Sequence, residues 1–308
     1  TDPQSGENIY DPTCGSGGIL LSSILHVKEQ GKEYRTLKLY GQELNLITSA
    51  IARINMFMHN VDEFLIVQGD TLESPQILEN DELKQFDVIM ANPPYSVKRW
   101  NQKKWMSDPF GRNIWGTPPQ GCADYAFQQH IMKSLNPITG RCVVLWPHGV
   151  LFRDAERDIR KKMIEEDYVD AVIGLGKNLF YNSSMESCLL VCRMKKTEER
   201  KGKIIFIDGR EEIRLERSNA WLEPEHIKKI AGAYWQFKDI ESFARVMSCK
   251  EVIENNGNLS VQLYVKHGQN DIEHNVEDLI TEVKNGQKKV NESLEELFSK
   301  LNEIGIEA

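Results

Sequence analysis

Residues 86–95, FDVIMANPPY, constrain the fold of this chain more than any other stretch. Five of the first six residues are apolar or aromatic, and the run is short and β-rich. It reads as a fully buried strand, the kind found in parallel sheets. It stops at Asn92-Pro93-Pro94-Tyr95. Two successive prolines lack N–H donors and hold φ near about −65°, so the turn is stiff. A stiff turn at the carboxyl end of a parallel strand is where α/β folds carry their chemistry. The Asn92 amide and the Pro93 carbonyl can both accept from one amino group, and Tyr95 offers a flat face nearby. The set suits a planar substrate with an exocyclic NH2, or an amide. Asn-Pro-Pro alone also suits an ordinary loop; the buried strand before it and Tyr95 after it favour a site.

Upstream, three strands end on acidic residues. Asn8–Asp11 leads into Asp11-Pro12-Thr13-Cys14-Gly15-Ser16-Gly17-Gly18 and then a helical run over 19–30, closed by Gly31. Glycines let the backbone approach a ligand closely. Asp11 would repel a pyrophosphate and attract an ammonium. The loop therefore suits a nucleoside with a cationic tail better than a dinucleotide, although a tight βα turn needs the same glycines. The second strand, 37–42, ends at Glu43, placed to accept from ribose hydroxyls. Asn45 can cap the next helix, with Ile47, Ala50, Ile51, Ile54 and Met58 at helical spacing. The third, 64–67, is followed by Gly69-Asp70-Thr71-Leu72. Asp70 suits an adenine amino group, or simply a turn.

DPTCGSGG, GQELN, GDTL and NPPY, in this order and at these spacings, resemble the S-adenosylmethionine-dependent amino-methyltransferases. More narrowly, the chain resembles the modification (M) subunit of type I restriction–modification systems, an N6-adenine DNA methyltransferase. Residues 121–127 (GCADYAF), 140–147 (GRCVVLWP) and 177–181 (KNLFY) carry the likeness further, as does the later FARV…NL…YV stretch. The resemblance implies an α/β, Rossmann-like methyltransferase fold: a mostly parallel seven-stranded sheet with one antiparallel strand, and a C-terminal helical extension. It implies S-adenosylmethionine as cofactor. Asp11, Gly15 and Gly17 would line its methionine end, with Thr13, Cys14 and Ser16 in the same loop. Glu43 would hold the ribose and Asp70 the adenine; Asp124 would be a further cofactor-side residue. Asn92 and Pro93, with Pro94 and Tyr95 in the same turn, would bind the target N6 amine beside the cofactor. Tyr95 would stack on a base extruded from the duplex, and Phe180 would form the opposite wall.

Residues 96–120 read as a mobile loop in which Lys98, Arg99, Lys103 and Lys104 alternate with Trp100 and Trp105, suited to DNA phosphates. A solvated loop anchored by its tryptophans is the plainer reading. His148, in the exit turn of a strand over 141–146, reads as structural rather than as a general base. Further strands are expected at Val169–Leu175, 187–194 and 203–208, the second of them antiparallel. Trp221 and Trp235 read as packing residues.

Domain limits follow: 1–209 as the methyltransferase catalytic domain, 210–268 as a mixed α/β extension, and 269–308 as a long helix for subunit association. In the last, Val276, Ile280, Val283, Gln287, Val290, Leu294, Leu297, Leu301 and Ile304 form a heptad seam. The seam could pack on its own domain; the resemblance suggests a specificity (S) subunit, and leaves open an endonuclease (R) subunit.

A net charge of −8 argues against gripping nucleic acid with the whole surface, though not against a local basic patch. No long apolar run marks a membrane span. Six scattered cysteines without a CxxC pair suggest a reduced, cytoplasmic protein, and no metal is expected. The chain opens on Thr1, not Met, and reads as truncated; nothing in it matches the family's amino-terminal helical domain. Two other functions stay open. One is methylation of a protein glutamine amide, whose NH2 meets the same acceptors; the other is a non-catalytic assembly module. A nicotinamide dehydrogenase is disfavoured, because the glycine run lacks GxGxxG spacing.

Overall fold

The structure, a computed structural model, describes residues 1–180, 185–216 and 219–266, with positions 284, 286–288, 290, 291 and 293. Thr1–Lys266 forms one compact unit and His267–Ala308 a second.

In the first unit, nine strands make one sheet: β1 (Asn8–Asp11), β2 (Lys38–Glu43), β3 (Phe64–Gln68), β4 (Val88–Ala91), β5 (Arg141–Pro147), β6 (Val169–Leu175), β7 (Ser187–Arg193), β8 (Lys203–Gly209) and β9 (Ala244–Ser248). Their order is β9-β8-β6-β7-β5-β4-β1-β2-β3. β7 runs antiparallel between β5 and β6, and β9 antiparallel on the edge beside β8; the remaining pairings are parallel. The sheet therefore contains the seven strands expected and gains two more. The addition comes from β8 pairing with β6 and β9 pairing with β8. The segment read from the sequence as an extension, 210–268, contributes the edge strand β9 to the same sheet.

The strands read as apolar runs because helices cover the sheet. Helix α1 (Gly18–Glu29) packs on β1, β2 and β4, and α2 (Leu46–Met58) on β2 and β3. A short α3 (Gln102–Met106) lies in the 96–120 segment. α4 (Asp124–Lys133) packs on β5, and α5 (Arg157–Glu165) on the small helix α7 (Cys249–Glu254). α6 (Pro224–Gln236) and α8 (Val261–Tyr264) pack on β8. Every residue of β6 is buried, as a central strand covered on both faces requires.

Helix α2 differs from its sequence reading. Asn45 does cap it, accepting from the Thr48 amide at 3.0 Å. The buried face, however, is Ser49, Ala52 and Met56, while Ile47, Ile51, Ile54 and Met58 are exposed. The cause is close approach. A Cβ on Gly17 would stand 2.6 Å from Met56 Cε and 3.6 Å from Ala52 Cβ, so the helix sits against the glycine loop on Ala52 and Met56. Trp221 and Trp235 are likewise exposed rather than packed inside.

In the second unit, Lys284, Gly286, Gln287, Lys288, Val290, Asn291 and Ser293 are helical. The other positions of the heptad seam, Val276, Ile280, Val283, Leu294, Leu297, Leu301 and Ile304, lie outside the described residues.

Candidate active site

Strand order reverses at β1, which has β2 on one side and β4 on the other. Ile9 and Tyr10 pair with Val88 and Ile89, so the turns that leave β1 and β4 emerge side by side. This is the switch point at which open parallel sheets leave a crevice. The glycine loop lies on one side of it and Asn92-Pro93-Pro94-Tyr95 on the other.

The glycine loop is built in advance. Asp11 is buried, and its Oδ1 accepts from the Thr13 amide at 3.0 Å and the Thr13 hydroxyl at 3.4 Å. Burial pushes its carboxyl up to about 7; the two Thr13 bonds oppose that and the nearby Glu43 adds to it. Cys14 N donates to Gln42 O at 3.0 Å, and Gly15 N to Glu43 Oε2 at 3.0 Å. Glu43 Oε1 accepts from Asn45 N at 2.8 Å. Thr71 Oγ1 donates to Pro12 O at 2.6 Å, tying the β3 exit to the β1 exit. Gly15 and Gly17 have φ of +53° and +82°, where other residues are strained. A Cβ on Gly15 would meet only open space. Ser16 is exposed. The Cys14 thiol is buried and raised by burial, so it stays protonated and packs under Gly41. All six cysteines are buried and unpaired. Asp70 behaves first as a turn aspartate: Oδ1 accepts from Leu72 N at 2.9 Å and Glu73 N at 3.1 Å.

Gln42 escaped the sequence reading. It is fully buried at the end of β2, donates to Ser74 O at 3.1 Å and accepts from Gln76 N at 3.0 Å. It stitches the loop after β3 to the loop after β1. A buried amide inside a strand was the available signal.

Across the crevice, Asn92, Pro93, Pro94 and Tyr95 line a cavity of about 370 Å³ together with Pro147, Phe180, Met185, Glu186 and Ser187. The sheet explains the gathering: Pro147 is paired with Ser187, and Ser187 in turn with Leu175, so three strand ends meet there. Phe180 thus stands in one cavity with Tyr95; Tyr181 lies outside the described residues. Tyr95 Oη donates to Asn92 Oδ1 at 2.8 Å. Burial holds the Tyr95 phenol up at about 12, so it remains a donor. His148 is lowered by burial and is neutral at pH 7, in a 3-10 turn after β5.

Asp124 stands at the start of α4. Both of its carboxylate oxygens are bound inside the chain: Oδ1 to Ser96 N at 2.7 Å and Oδ2 to the Arg153 guanidinium. Completely buried at the start of α4, it supports the 92–95 turn from behind.

The 96–120 segment is packed rather than a loose loop. Trp105, Arg112 and Trp115 are buried, and Arg112 binds Asp108 at 2.6 Å and the carbonyls of Thr71 and Leu72 at 2.7 and 2.8 Å. The sequence reading missed Arg112 because a lone arginine in a polar stretch looks solvated. Lys98, Arg99, Lys103 and Lys104 are all exposed, and Lys104 pairs with Glu73 at 2.8 Å.

Residues 1–273 match the family model described as N-6 DNA Methylase. The chain is 34% identical over 312 residues to the type I restriction enzyme MjaVII methylase subunit of Methanocaldococcus jannaschii, covering 96% of this chain and 52% of that protein. It is 32% identical to the MpnII methylase subunit of Mycoplasma pneumoniae, over 97% of this chain and 57% of that one. The crystal structure of a type I restriction-modification system methyltransferase subunit from Streptococcus thermophilus superposes with a TM-score of 0.79 at 34% identity, over 86% of this chain and 55% of that one. The chain therefore spans about half the length of these relatives. With its match running through the sheet and both turns of the crevice, the chain belongs to the N-6 DNA methylase family.

Proposed function

We propose that this chain is the catalytic part of a type I modification subunit that methylates N6 of adenine in DNA, with S-adenosylmethionine as donor. The observation that carries the reading is the cavity of about 370 Å³ that joins the Asn92-Pro93-Pro94-Tyr95 turn to Phe180, beside an acidic glycine loop at the switch point.

The residues present fit the cofactor. Asp11, Glu43 and Asp70 put negative charge along the crevice, which suits an ammonium-bearing nucleoside and opposes phosphate. Each Glu43 oxygen keeps a lone pair beyond its bond to Gly15 or Asn45, enough for ribose hydroxyls. Asp70 would meet the adenine through the oxygen not bound to Leu72 and Glu73. Gly15, with open space at its Cβ position, lets the backbone approach the methionine end alongside Thr13, Cys14, Ser16 and Gly17. When bound, S-adenosylmethionine supplies an electrophilic methyl on its sulfonium.

The chain's own work is to present a poor nucleophile. The N6 lone pair of adenine is delocalised into the ring. Asn92 Oδ1 and the Pro93 carbonyl would accept its two N–H bonds, draw the nitrogen toward tetrahedral geometry and localise the lone pair. Rigid Pro93 and Pro94 hold that geometry, and positioning supplies much of the rate. Tyr95 and Phe180 would sandwich the extruded base and offset part of its unstacking cost. Lys98, Arg99 and Lys103 would meet phosphates.

For the whole protein, we propose association with a specificity subunit through the C-terminal heptad helix, an endonuclease subunit as a further partner, and a cytoplasmic location. Among the described residues no helix is long and apolar enough to cross a membrane. The test is base analysis of plasmid DNA after incubation with the full-length protein, its specificity subunit and S-adenosylmethionine. N6-methyladenine is expected. Label on a glutamine-bearing protein and none on DNA would instead favour an amide methyltransferase.

A further inference from the structure

We propose that Asp124, Arg153 and Glu156 form a clamp that aims the 92–95 turn, with Ser96 as its point of attachment. The proposal rests on the methyltransferase reading of that turn.

Pro93 and Pro94 fix φ upstream, so the remaining freedom of the turn lies at Tyr95 and Ser96. Ser96 has φ +50°, a left-handed conformation that a serine holds only when its surroundings impose it. Two contacts impose it. The Ser96 amide donates to Asp124 Oδ1 at 2.7 Å, and Arg153 Nη1 donates to Ser96 Oγ at 3.4 Å. An amide bound to an ionised carboxylate makes one of the stronger hydrogen bonds available.

The carboxylate has a rigid base. Asp124 begins α4, and that helix is bolted to β5 and its exit: Gln128 Oε1 accepts from Trp146 Nε1 at 3.0 Å, and Tyr125 Oη donates to Val150 O at 3.2 Å. Arg153 donates to Asp124 Oδ2 and, at 2.8 Å, to Glu156 Oε2. Glu156 is buried, and ligand atoms of Cys122, Asp124 and Glu156 lie within 4.8 Å of one another. Such a group invites a cation; here the guanidinium supplies the positive charge.

The clamp also joins two walls of the cavity. Ser96 follows Tyr95, and Arg153 follows the turn that leaves β5 at Pro147, which lines the same cavity. Asp124, Arg153 and Glu156 are thus positioning residues, acting through Ser96.

The test uses the full-length protein in its assembled complex, with plasmid DNA as substrate. Arg153→Gln is expected to lower kcat about tenfold while the cofactor Kd stays within about twofold. Amide hydrogen exchange over residues 95–97 should quicken. Adding Ser96→Gly should restore most of kcat, because glycine takes a positive φ unaided. Ser96→Val, at an exposed position that spares the buried carboxylates, should lower kcat in the same way. Unchanged kcat in Arg153→Gln and Ser96→Val overturns the clamp, as does a loss that Ser96→Gly fails to restore. If the wild-type complex leaves DNA unmethylated, the functional reading fails, and exchange at 95–97 alone decides: quickened exchange upholds the clamp and unchanged exchange overturns it.

Discussion

The Tyr95 hydroxyl donates to Asn92 Oδ1 at 2.8 Å, so the oxygen assigned to the substrate amine is engaged within its own turn. A base entering the cavity brings its own N–H to the same oxygen, in competition with the Tyr95 hydroxyl. The exchange is close to neutral, since one neutral hydrogen bond is worth about 1 kcal/mol net. Tyr95→Phe keeps the ring and removes the competitor. The expected result is a DNA KM lowered about two- to fivefold with kcat retained, read from steady-state methylation.

Asp11 gives the site a pH signature. Burial raises its carboxyl to about 7, so the folded chain keeps a proton there that the unfolded chain releases at the ordinary aspartate value. The stability associated with the protonated acid is complete below that ordinary value and falls as pH climbs to about 7. A ligand ammonium favours the carboxylate, so cofactor affinity should rise through the same window and binding should release a proton. Calorimetry near about pH 6.5 in buffers of different ionisation enthalpy measures that release. Asp11→Asn should abolish it.

Much of this site was legible in the sequence because short loops at strand ends keep chemistry close to the residues that announce the strand. Asp11, Glu43 and Asn92 could be placed from apolar runs and turn residues alone. What could not be placed depends on side chains that reach across elements. The Ser96 and Arg153 contacts of Asp124 lie 28 and 29 residues away in sequence, so no local pattern announces them. Helix α2 has the expected period, but Ile47, Ile51, Ile54 and Met58 face outward, because Ser49, Ala52 and Met56 form the buried face and the last two meet Gly17. Strand β8 was legible at 203–208, but the edge strand β9 was hidden because it pairs with β8 from across an intervening helix.

The basic residues beyond the turn should divide by pairing. Lys98→Ala, Arg99→Ala and Lys103→Ala are each expected to reduce the slope of log K against log salt by about 1 in DNA binding by the assembled complex. Lys104→Ala should change the slope less, because Glu73 already neutralises that ammonium at 2.8 Å. Equal slopes for all four variants and wild type would remove this segment from the DNA interface.

Gly17 joins the loop to α1 with φ +82°, strained for any L side chain, and an added Cβ would also have to displace the flexible tip of Met56. Gly17→Ala should therefore cost about 2 kcal/mol of stability, measured by urea unfolding. Gly15→Ala, strained in φ but open in space, should cost about 1 kcal/mol and act mainly on cofactor affinity.

The most direct measurement of the central claim is the identity of the methylated atom, with and without Asn92. Wild-type protein in its full complex, given labelled S-adenosylmethionine and unmodified plasmid, should yield N6-methyladenine. Asn92→Ala should bind the cofactor normally and lose about a hundredfold or more in transfer. N6-methyladenine formed at the wild-type rate by Asn92→Ala, or methyl groups found on cytosine or protein instead, would contradict the account.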